Sequence, residues 1–265
     1  MKKHTLASYL VNFVAAVYIL ITALMNGGVI SRQYQGVLVF ACINCILAVS
    51  LNLTTGFLGE IALGHAGFMS IGAYTGALIT KADLLPGTPG LLLGMLAGGL
   101  VAVIFALFIG LPVLRLKGDY LAIVTLAFGE IIKSLLTNVY LGVDSKGFQF
   151  SFLENRNVLG EGGIELIKGP MGVMNTQRIS SFVAGFVLVM ITLVIIFNLV
   201  NSRTGRAIMA ARDNRIAAES VGISVTKYKM IAFVTSAALA GAAGTLYGCS
   251  QVTFTATKFD FNTSI

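Results

Sequence analysis

The run ISSFVAGFVLVMITLVIIFNLV, residues 179–200, decides the fold because it is 22 residues long and contains no charged side chain. An α-helix of about 20 residues crosses the roughly 30 Å hydrocarbon core of a bilayer. A helix is expected, since backbone in lipid must satisfy its own hydrogen bonds and the run lacks the alternating pattern of a barrel strand. The run therefore predicts a membrane-spanning helix.

Apolar runs of this kind recur along the chain. Of the 265 residues, 56% are hydrophobic and 11% are charged, whereas about a quarter of the residues in a soluble domain are charged. The sequence therefore predicts an all-α polytopic integral membrane protein in which residues 1–265 form a single transmembrane domain. About seven spanning helices are expected, at residues 6–25, 35–55, 61–80, 91–111, 120–139, 179–200 and 231–250.

The positions of lysine and arginine predict the orientation, because short cytoplasmic connections hold an excess of positive charge. Lys2 and Lys3 place the N-terminus in the cytoplasm. Seven crossings then place residues 201–229, with six basic and two acidic side chains, in the cytoplasm as well. Residues 140–178, with four basic and four acidic side chains, become an external loop. The C-terminus is expected outside.

Charge and motif content argue against several classes of function. The net charge of +7 is explained by basic helix ends beside anionic lipid headgroups, so no nucleic-acid partner is expected. The sequence has no GxxxxGKS/T phosphate loop, and its two histidines, His4 and His65, are too few for a recognisable metal cluster. The chain is therefore expected to be neither an enzyme nor the holder of a cofactor or metal.

Residues 52–74, NLTTGFLGEIALGHAGFMSIGAY, predict an interrupted helix because glycines surround Glu60 and His65 near membrane depth. Interrupted helices in transporters expose backbone groups and helix ends that can meet a zwitterionic solute. Glu60 is also compatible with capping a short cytoplasmic turn. His65 is equally compatible with a structural hydrogen bond to a neighbouring helix.

Three further polar residues are candidates for a transport path. Asn52 and Thr125 are placed where they could line a polar pathway, although each could instead bond a backbone carbonyl within the bundle. Glu130 lies three residues before Lys133, so the two can pair on one helix face. The candidate substrate path therefore comprises Asn52, Glu60, His65, Thr125 and Glu130.

Glycine pairs spaced four residues apart predict close packing between helices. Three such pairs fall in the predicted spans. They are Gly72 with Gly76, Gly94 with Gly98, and Gly244 with Gly248.

Three segments carry a family resemblance: LNLTTGFLGEIALGHAGFMSIGAY from Leu51, RLKGDYLAIVTLAFGEIIK from Arg115, and GRAIMAARDNRIAAESVGISVTKYKMIAFVTSAALAGAAGTLY from Gly205. In this order they resemble the LivM-type permeases of bacterial branched-chain amino-acid ABC importers. The resemblance covers nearly the whole chain. It implies a multi-pass protein of the bacterial cytoplasmic (inner) membrane, paired with a LivH-type second permease and two cytoplasmic ABC ATPase subunits. A periplasmic or lipid-anchored binding protein would deliver leucine, isoleucine or valine.

The resemblance gives residues 201–229 the role of a coupling loop that docks on the ATPase. Permeases of ABC importers often mark this loop with the motif E-A-A-x-x-x-G; here Ala217, Ala218 and Gly222 match it, whereas Ile216 stands at the glutamate position. The alternative is a solvated basic loop that serves topology alone. The candidate coupling residues are Arg206, Arg212, Asp213, Ala217, Ala218, Glu219 and Gly222.

Other functions remain open on the residues alone. A urea or short-chain amide ABC permease would resemble the same family, and a secondary amino-acid transporter would share the helices and the interrupted segment. A channel or a scaffold that carries no solute is a further class. Because family members continue with additional helices, the sequence ending at Ile265 is expected to be a partial protein.

Overall fold

The computed structural model describes residues 16, 18, 21–22, 32–81, 87–114, 119–144, 147–152, 164–176 and 178–260. The predicted first span, residues 6–25, lies almost entirely outside these residues. Helices dominate the described part of the chain. They are α1 (Arg32–Asn52), α2 (His65–Lys81), α3 (Thr88–Val113), α4 (Asp119–Thr137), α5 (Phe182–Asn201), α6 (Arg203–Asp213), α7 (Arg215–Ser220) and α8 (Val225–Gly248), with a π-helical turn at Leu53–Phe57.

Five helical stretches in the described residues are long and apolar enough to cross a membrane, which confirms the all-α polytopic class. They are Tyr34–Phe57, Thr88–Val113, Tyr120–Thr137, Phe182–Asn201 and Val225–Gly248. The predicted count of seven is not confirmed. The predicted third span, residues 61–80, is the 17-residue helix α2 preceded by non-helical backbone.

Helices α2, α3 and α8 pack against one another, and small residues bring the three helices together. An added Cβ at Gly241 of α8 would lie 2.6 Å from the carbonyl oxygen of Gly98 and 2.7 Å from the Cβ of Ala102, both in α3. The hydroxyl of Thr245 lies 2.9 Å from the carbonyl oxygen of Gly72 and 3.1 Å from that of Gly94. The close packing predicted from the glycine spacing is confirmed.

A small antiparallel sheet follows α4. Its strands are β1 (Val139–Asp144), β2 (Gly147–Phe152) and β3 (Ile164–Lys168), in the order β2-β1-β3. The sequence predicted only an external loop at residues 140–178, so the strands are an addition to that prediction. Phe254, beyond α8, forms a bridge with Val173 and packs on Tyr74 at a ring distance of 5.2 Å.

Helices α6 and α7 occupy the other end of the bundle, because α5 runs about 30 Å from the sheet to α6. Ser202 caps α6 by accepting a hydrogen bond from the backbone N–H of Gly205 at 3.2 Å. Asn214 caps α7 in the same way through the N–H of Ala217 at 3.0 Å. Residues 201–229 are therefore two short capped helices and the start of α8, and not a plain loop.

Candidate functional site

The break that the sequence predicted within residues 52–74 is confined to residues 53–64, which we call the broken segment. It consists of the π-helical turn Leu53–Phe57 followed by non-helical residues 58–64, whereas residues 65–74 form a regular helix. Leu53 and Leu58 are buried in one apolar cluster with Ile208 of α6 and Ala232 of α8. The broken segment is therefore seated against α6 and α8.

Arg212, at the end of α6, contacts the broken segment directly. Its Nη1 donates a hydrogen bond to the carbonyl oxygen of Gly56 at 3.1 Å. Its methylenes pack on Gly59, where an added Cβ would lie 2.6 Å from Cγ of Arg212. Gly59 also has φ +74, a conformation that favours glycine. The remaining guanidinium nitrogens bond Asp213 at 3.0 and 2.9 Å, so this predicted coupling residue orients Arg212.

Glu60 forms an ion pair with Lys229 of α8. The Glu60 and Lys229 side chains are only 15% and 8% exposed. The other carboxylate oxygen of Glu60 is buried and has no hydrogen-bond partner among the described residues. Sequence reasoning missed Lys229, because the two residues lie 169 positions apart and nothing local relates them. A membrane-depth carboxylate without a local partner was the only available signal.

His65 is fully inside the bundle and is hydrogen-bonded. Its Nε2 lies 2.9 Å from Oγ of Ser50 in α1. Oγ of Ser50 also lies 2.9 Å from the carbonyl oxygen of Leu47, so the hydroxyl joins His65 to the backbone of α1. The hydroxyl of Ser236 in α8 donates to the Ser50 carbonyl oxygen at 2.7 Å. His65 therefore forms the hydrogen bond to a neighbouring helix that the sequence left open.

Thr125 of α4 is buried and holds the far end of the broken segment. Its hydroxyl accepts a hydrogen bond from the backbone N–H of Leu63 at 3.1 Å and donates to the carbonyl oxygen of Ala122 at 2.9 Å. The Leu63 bond replaces a helical bond that the broken segment does not make. The Ala122 bond matches the sequence alternative in which Thr125 bonds backbone within the bundle.

A cavity lies beside the broken segment and has room for little more than one water molecule. Its wall includes His65 and Thr125, two of the five candidate path residues. The other wall residues are mostly small or apolar: Thr54, Ala62, Gly64, Phe68, Phe128, Phe233, Ser236 and Ala237.

The other candidate path residues lie elsewhere. Asn52 is exposed at the end of α1. Glu130 lies on the outward face of α4, is 49% exposed and pairs with Lys133 at 2.6 Å, as the spacing predicted. Glu130 also borders a second small pocket, next to Phe259 and Asp260. The structure thus brings His65 and Thr125 together in the cavity wall, whereas Asn52 and Glu130 are exposed and Glu60 is held in its largely buried ion pair with Lys229.

Of the seven predicted coupling residues, Ala218 is buried and the other six are exposed. Ala218 is buried against Ala211 of α6 and Val225 of α8. The six exposed residues are Arg206, Arg212, Asp213, Ala217, Glu219 and Gly222.

Two large apolar side chains of the α7 region face solvent. Ile216 is 80% exposed and Val221 is 74% exposed. Between them, Glu219 accepts a hydrogen bond from Arg215 at 2.9 Å across one helical turn. Gly222, with φ +83, ends the turn with no neighbouring atom within 4 Å of an added Cβ.

A bundle of five apolar helical stretches long enough to cross a membrane defines a multi-pass membrane protein, and an interrupted helix such as the broken segment is typical of transporters. The family model for the permease component of the branched-chain amino acid transport system matches residues 33–265, and the chain belongs to this family. The family is one of transport components and not of enzymes.

Two curated relatives extend the comparison. The chain is 36% identical over 242 residues to the high-affinity branched-chain amino acid transport system permease protein LivM of Salmonella typhimurium, covering 88% of the chain and 56% of the relative. It is 34% identical over 255 residues to the protein of the same name from Escherichia coli, covering 92% of the chain and 59% of the relative. The chain therefore spans less than two thirds of the length of these relatives. No solved structure matches the chain.

Proposed function

We propose that the chain is a transmembrane permease subunit of an ATP-binding cassette importer that moves leucine, isoleucine or valine into the cytoplasm of a bacterium. Family membership supports the transport role, and the names of the two relatives support the substrate class. The observation that supports docking of a separate ATPase is the pair of exposed apolar side chains, Ile216 and Val221, in a charged helical region. Ile216 and Val221 lie outside the spanning stretches, so contact with lipid does not account for their exposure, and exposed apolar side chains rimmed by charges are typical of a protein interaction site.

The docking surface for the ATPase consists of α7, the adjacent turn and Arg206 of α6. Ile216 and Val221 supply apolar contacts, while the exposed charges Arg206 and Glu219 fix register. Arg212 and Asp213 serve coupling on the side of the bundle, since Arg212 bonds the broken segment and Asp213 orients Arg212. Ala217 and Gly222 permit close approach, since neither places a large side chain at the surface. Ala218 acts from inside by joining α7 to its neighbours.

The remaining partners follow from the same proposal. They are a LivH-type second permease, two cytoplasmic ABC ATPase subunits, a periplasmic or lipid-anchored substrate-binding protein, and the lipids of the inner membrane. Residues 201–229 then face the cytoplasm and residues 140–178 face outside.

The substrate path begins from the cavity at His65 and Thr125. Its wall is mostly apolar, which suits a branched aliphatic side chain, but it is too small for an amino acid in this conformation. Transport therefore requires the helices around the cavity to move apart, as in alternating access. Asn52 and Glu130, which are exposed, are assigned to the entrance and exit of the path, whereas Glu60 is held away from the cavity by its ion pair with Lys229.

The docking surface is tested with Val221→Asp, which places a charge on an exposed apolar contact without disturbing the interior. The chain is co-expressed with the LivH-type and ATPase partners, and leucine uptake with the binding protein is measured in sealed vesicles. Thr226→Asp is the matched control, because Thr226 is also exposed and receives the same charge. We expect at least tenfold loss of ATP-dependent uptake in Val221→Asp, normal membrane insertion, and little change in the control.

Three other outcomes would contradict the proposal. Leucine uptake without ATPase subunits would indicate a secondary transporter or a channel. Inhibition of uptake by urea and not by leucine would indicate an amide permease. Equal uptake in Val221→Asp and wild type would remove the docking role from α7.

A further inference from the structure

The broken segment is held by three helices to which the sequence does not connect it. Beyond its π-helical turn, the described backbone bonds of the segment are those of Leu58 to Leu53 at 3.2 Å, Glu60 to Thr54 at 3.1 Å and Gly67 to Gly64 at 3.0 Å. Non-helical backbone at membrane depth is tolerated where it is buried in protein or lines a cavity. The conformation of residues 58–64 therefore depends on side chains of α4, α6 and α8.

Two of these attachments lie at the α6–α7 end of the bundle. Arg212 of α6 holds the carbonyl oxygen of Gly56, and Lys229 of α8 holds the carboxylate of Glu60. Both attachments are charged and directional, unlike the apolar contacts around Leu53 and Leu58. A buried ion pair adds little to stability but is well suited to fixing one arrangement of two elements.

The third attachment lies at the cavity. The hydroxyl of Thr125 holds the N–H of Leu63, three residues beyond Glu60. Gly64 follows at the cavity wall, and His65 begins α2. A displacement of Glu60 is therefore passed along the backbone to Ala62 and Gly64, which both line the cavity.

The proposed docking surface is mechanically joined to the first two attachments. Ala218 of α7 packs on Ala211 of α6 and Val225 of α8. Arg212 is the neighbour of Ala211, and Lys229 lies one helical turn beyond Val225. Because these small side chains are closely packed, a displacement of α7 also displaces α6 and the first turns of α8, so the three move as one unit.

We infer that the broken segment transmits displacement of the α6–α7 unit to the cavity, with Arg212, Glu60 and Lys229 as positioning residues for the transport step. This inference rests on the proposed function. It explains why the carboxylate at residue 60 is paired with a lysine on α8 rather than placed in the cavity. When the unit moves, Gly56 and Glu60 move with it, and the bond between Leu63 and Thr125 sets how the cavity opens.

The test uses variants of each attachment in the assembled complex. Arg212→Met removes the bond to Gly56 at a side chain that is 41% exposed, so folding is preserved. Arg203→Met, an exposed residue of the same helix, is the matched control. The double variant Glu60→Gln with Lys229→Met removes both charges, so no buried charge remains without a partner, as it would in either single variant.

The measured quantity is leucine transported per ATP hydrolysed in proteoliposomes, together with assembly of the complex. We expect Arg212→Met and the double variant to assemble and hydrolyse ATP, with at least a tenfold fall in leucine transported per ATP. Arg203→Met should keep the wild-type ratio. A merely structural pair would instead lose transport and assembly together in the single variants and recover both in the double variant.

The outcomes distinguish failure of the proposed function from failure of the inference about the broken segment. Wild-type complex that transports no leucine with ATP overturns the proposed function itself. Wild-type complex that transports normally, with an unchanged ratio in both Arg212→Met and the double variant, overturns only the inference about the broken segment.

Discussion

Gly241→Ala adds one methyl group at the point where α8 crosses α3. The new Cβ would lie 2.6 Å from the carbonyl oxygen of Gly98 and 2.7 Å from the Cβ of Ala102, so one helix must move. Overpacking of this kind costs about 1–3 kcal/mol. At roughly 2–4 °C per kcal/mol for a chain of this size, a loss of about 2 kcal/mol lowers the apparent Tm by about 4–8 °C.

Gly36→Ala is the matched control, since it is the same chemical change in helix α1, where no atom of the described residues lies within 4 Å of the new Cβ. Alanine is favoured over glycine within a helix by about 0.5–1 kcal/mol. We therefore expect the Tm of this variant to be unchanged or slightly higher. The two identical substitutions are expected to change the Tm in opposite directions, because only the methyl group at residue 241 meets a neighbouring helix.

The chain provides its own reporter for this measurement. Cys42 and Cys249 are buried, whereas Cys45 is exposed. In a Cys45→Ser background, a thiol-reactive fluorophore in detergent micelles reports unfolding as the two buried thiols become accessible. If Gly241→Ala and Gly36→Ala have the same Tm, whether above or below that of the wild type, the claim that the α3–α8 crossing has no room for a methyl group is refuted.

Two further stability predictions use the same assay. Thr245→Val removes the hydroxyl that bonds the carbonyl oxygens of Gly72 and Gly94, and we expect a loss of about 1 kcal/mol; an unchanged Tm would show that the hydroxyl contributes nothing. Glu130→Gln breaks the ion pair with Lys133 inside the spanning stretch Tyr120–Thr137, where bulk water does not screen the lysine that is left, so we expect a loss of more than about 1 kcal/mol; an unchanged Tm would show that water reaches this pair.

The membrane helices were predictable because length and apolar composition dominate in lipid. The glycine-rich break was predictable too, and its extent was overestimated because glycines after His65 serve helix packing instead. Gly72, for example, meets the backbone of Gly241. The spacing of glycines alone does not distinguish a break from a close crossing.

Contacts between distant residues were not predictable. Glu60 and Lys229 form their pair only after α2 and α8 have packed. The strands were missed for another reason, since the local signal existed: β2, GFQFSF, alternates aromatic with small or polar residues. The zero net charge of residues 140–178 is typical of any exported loop, so charge alone does not distinguish strands from irregular backbone.

The central position of α8 has a consequence for biogenesis. Among the five spanning stretches, Val225–Gly248 is the most buried and the last to be synthesised. Until it emerges from the ribosome, α2 can pack on Gly94 and Gly98 of α3 but lacks its contacts with Gly241 and Gly244. The three-helix core is therefore completed only when α8 inserts beside the pair formed by α2 and α3. Premature termination before residue 241 would leave the earlier helices open to membrane proteases.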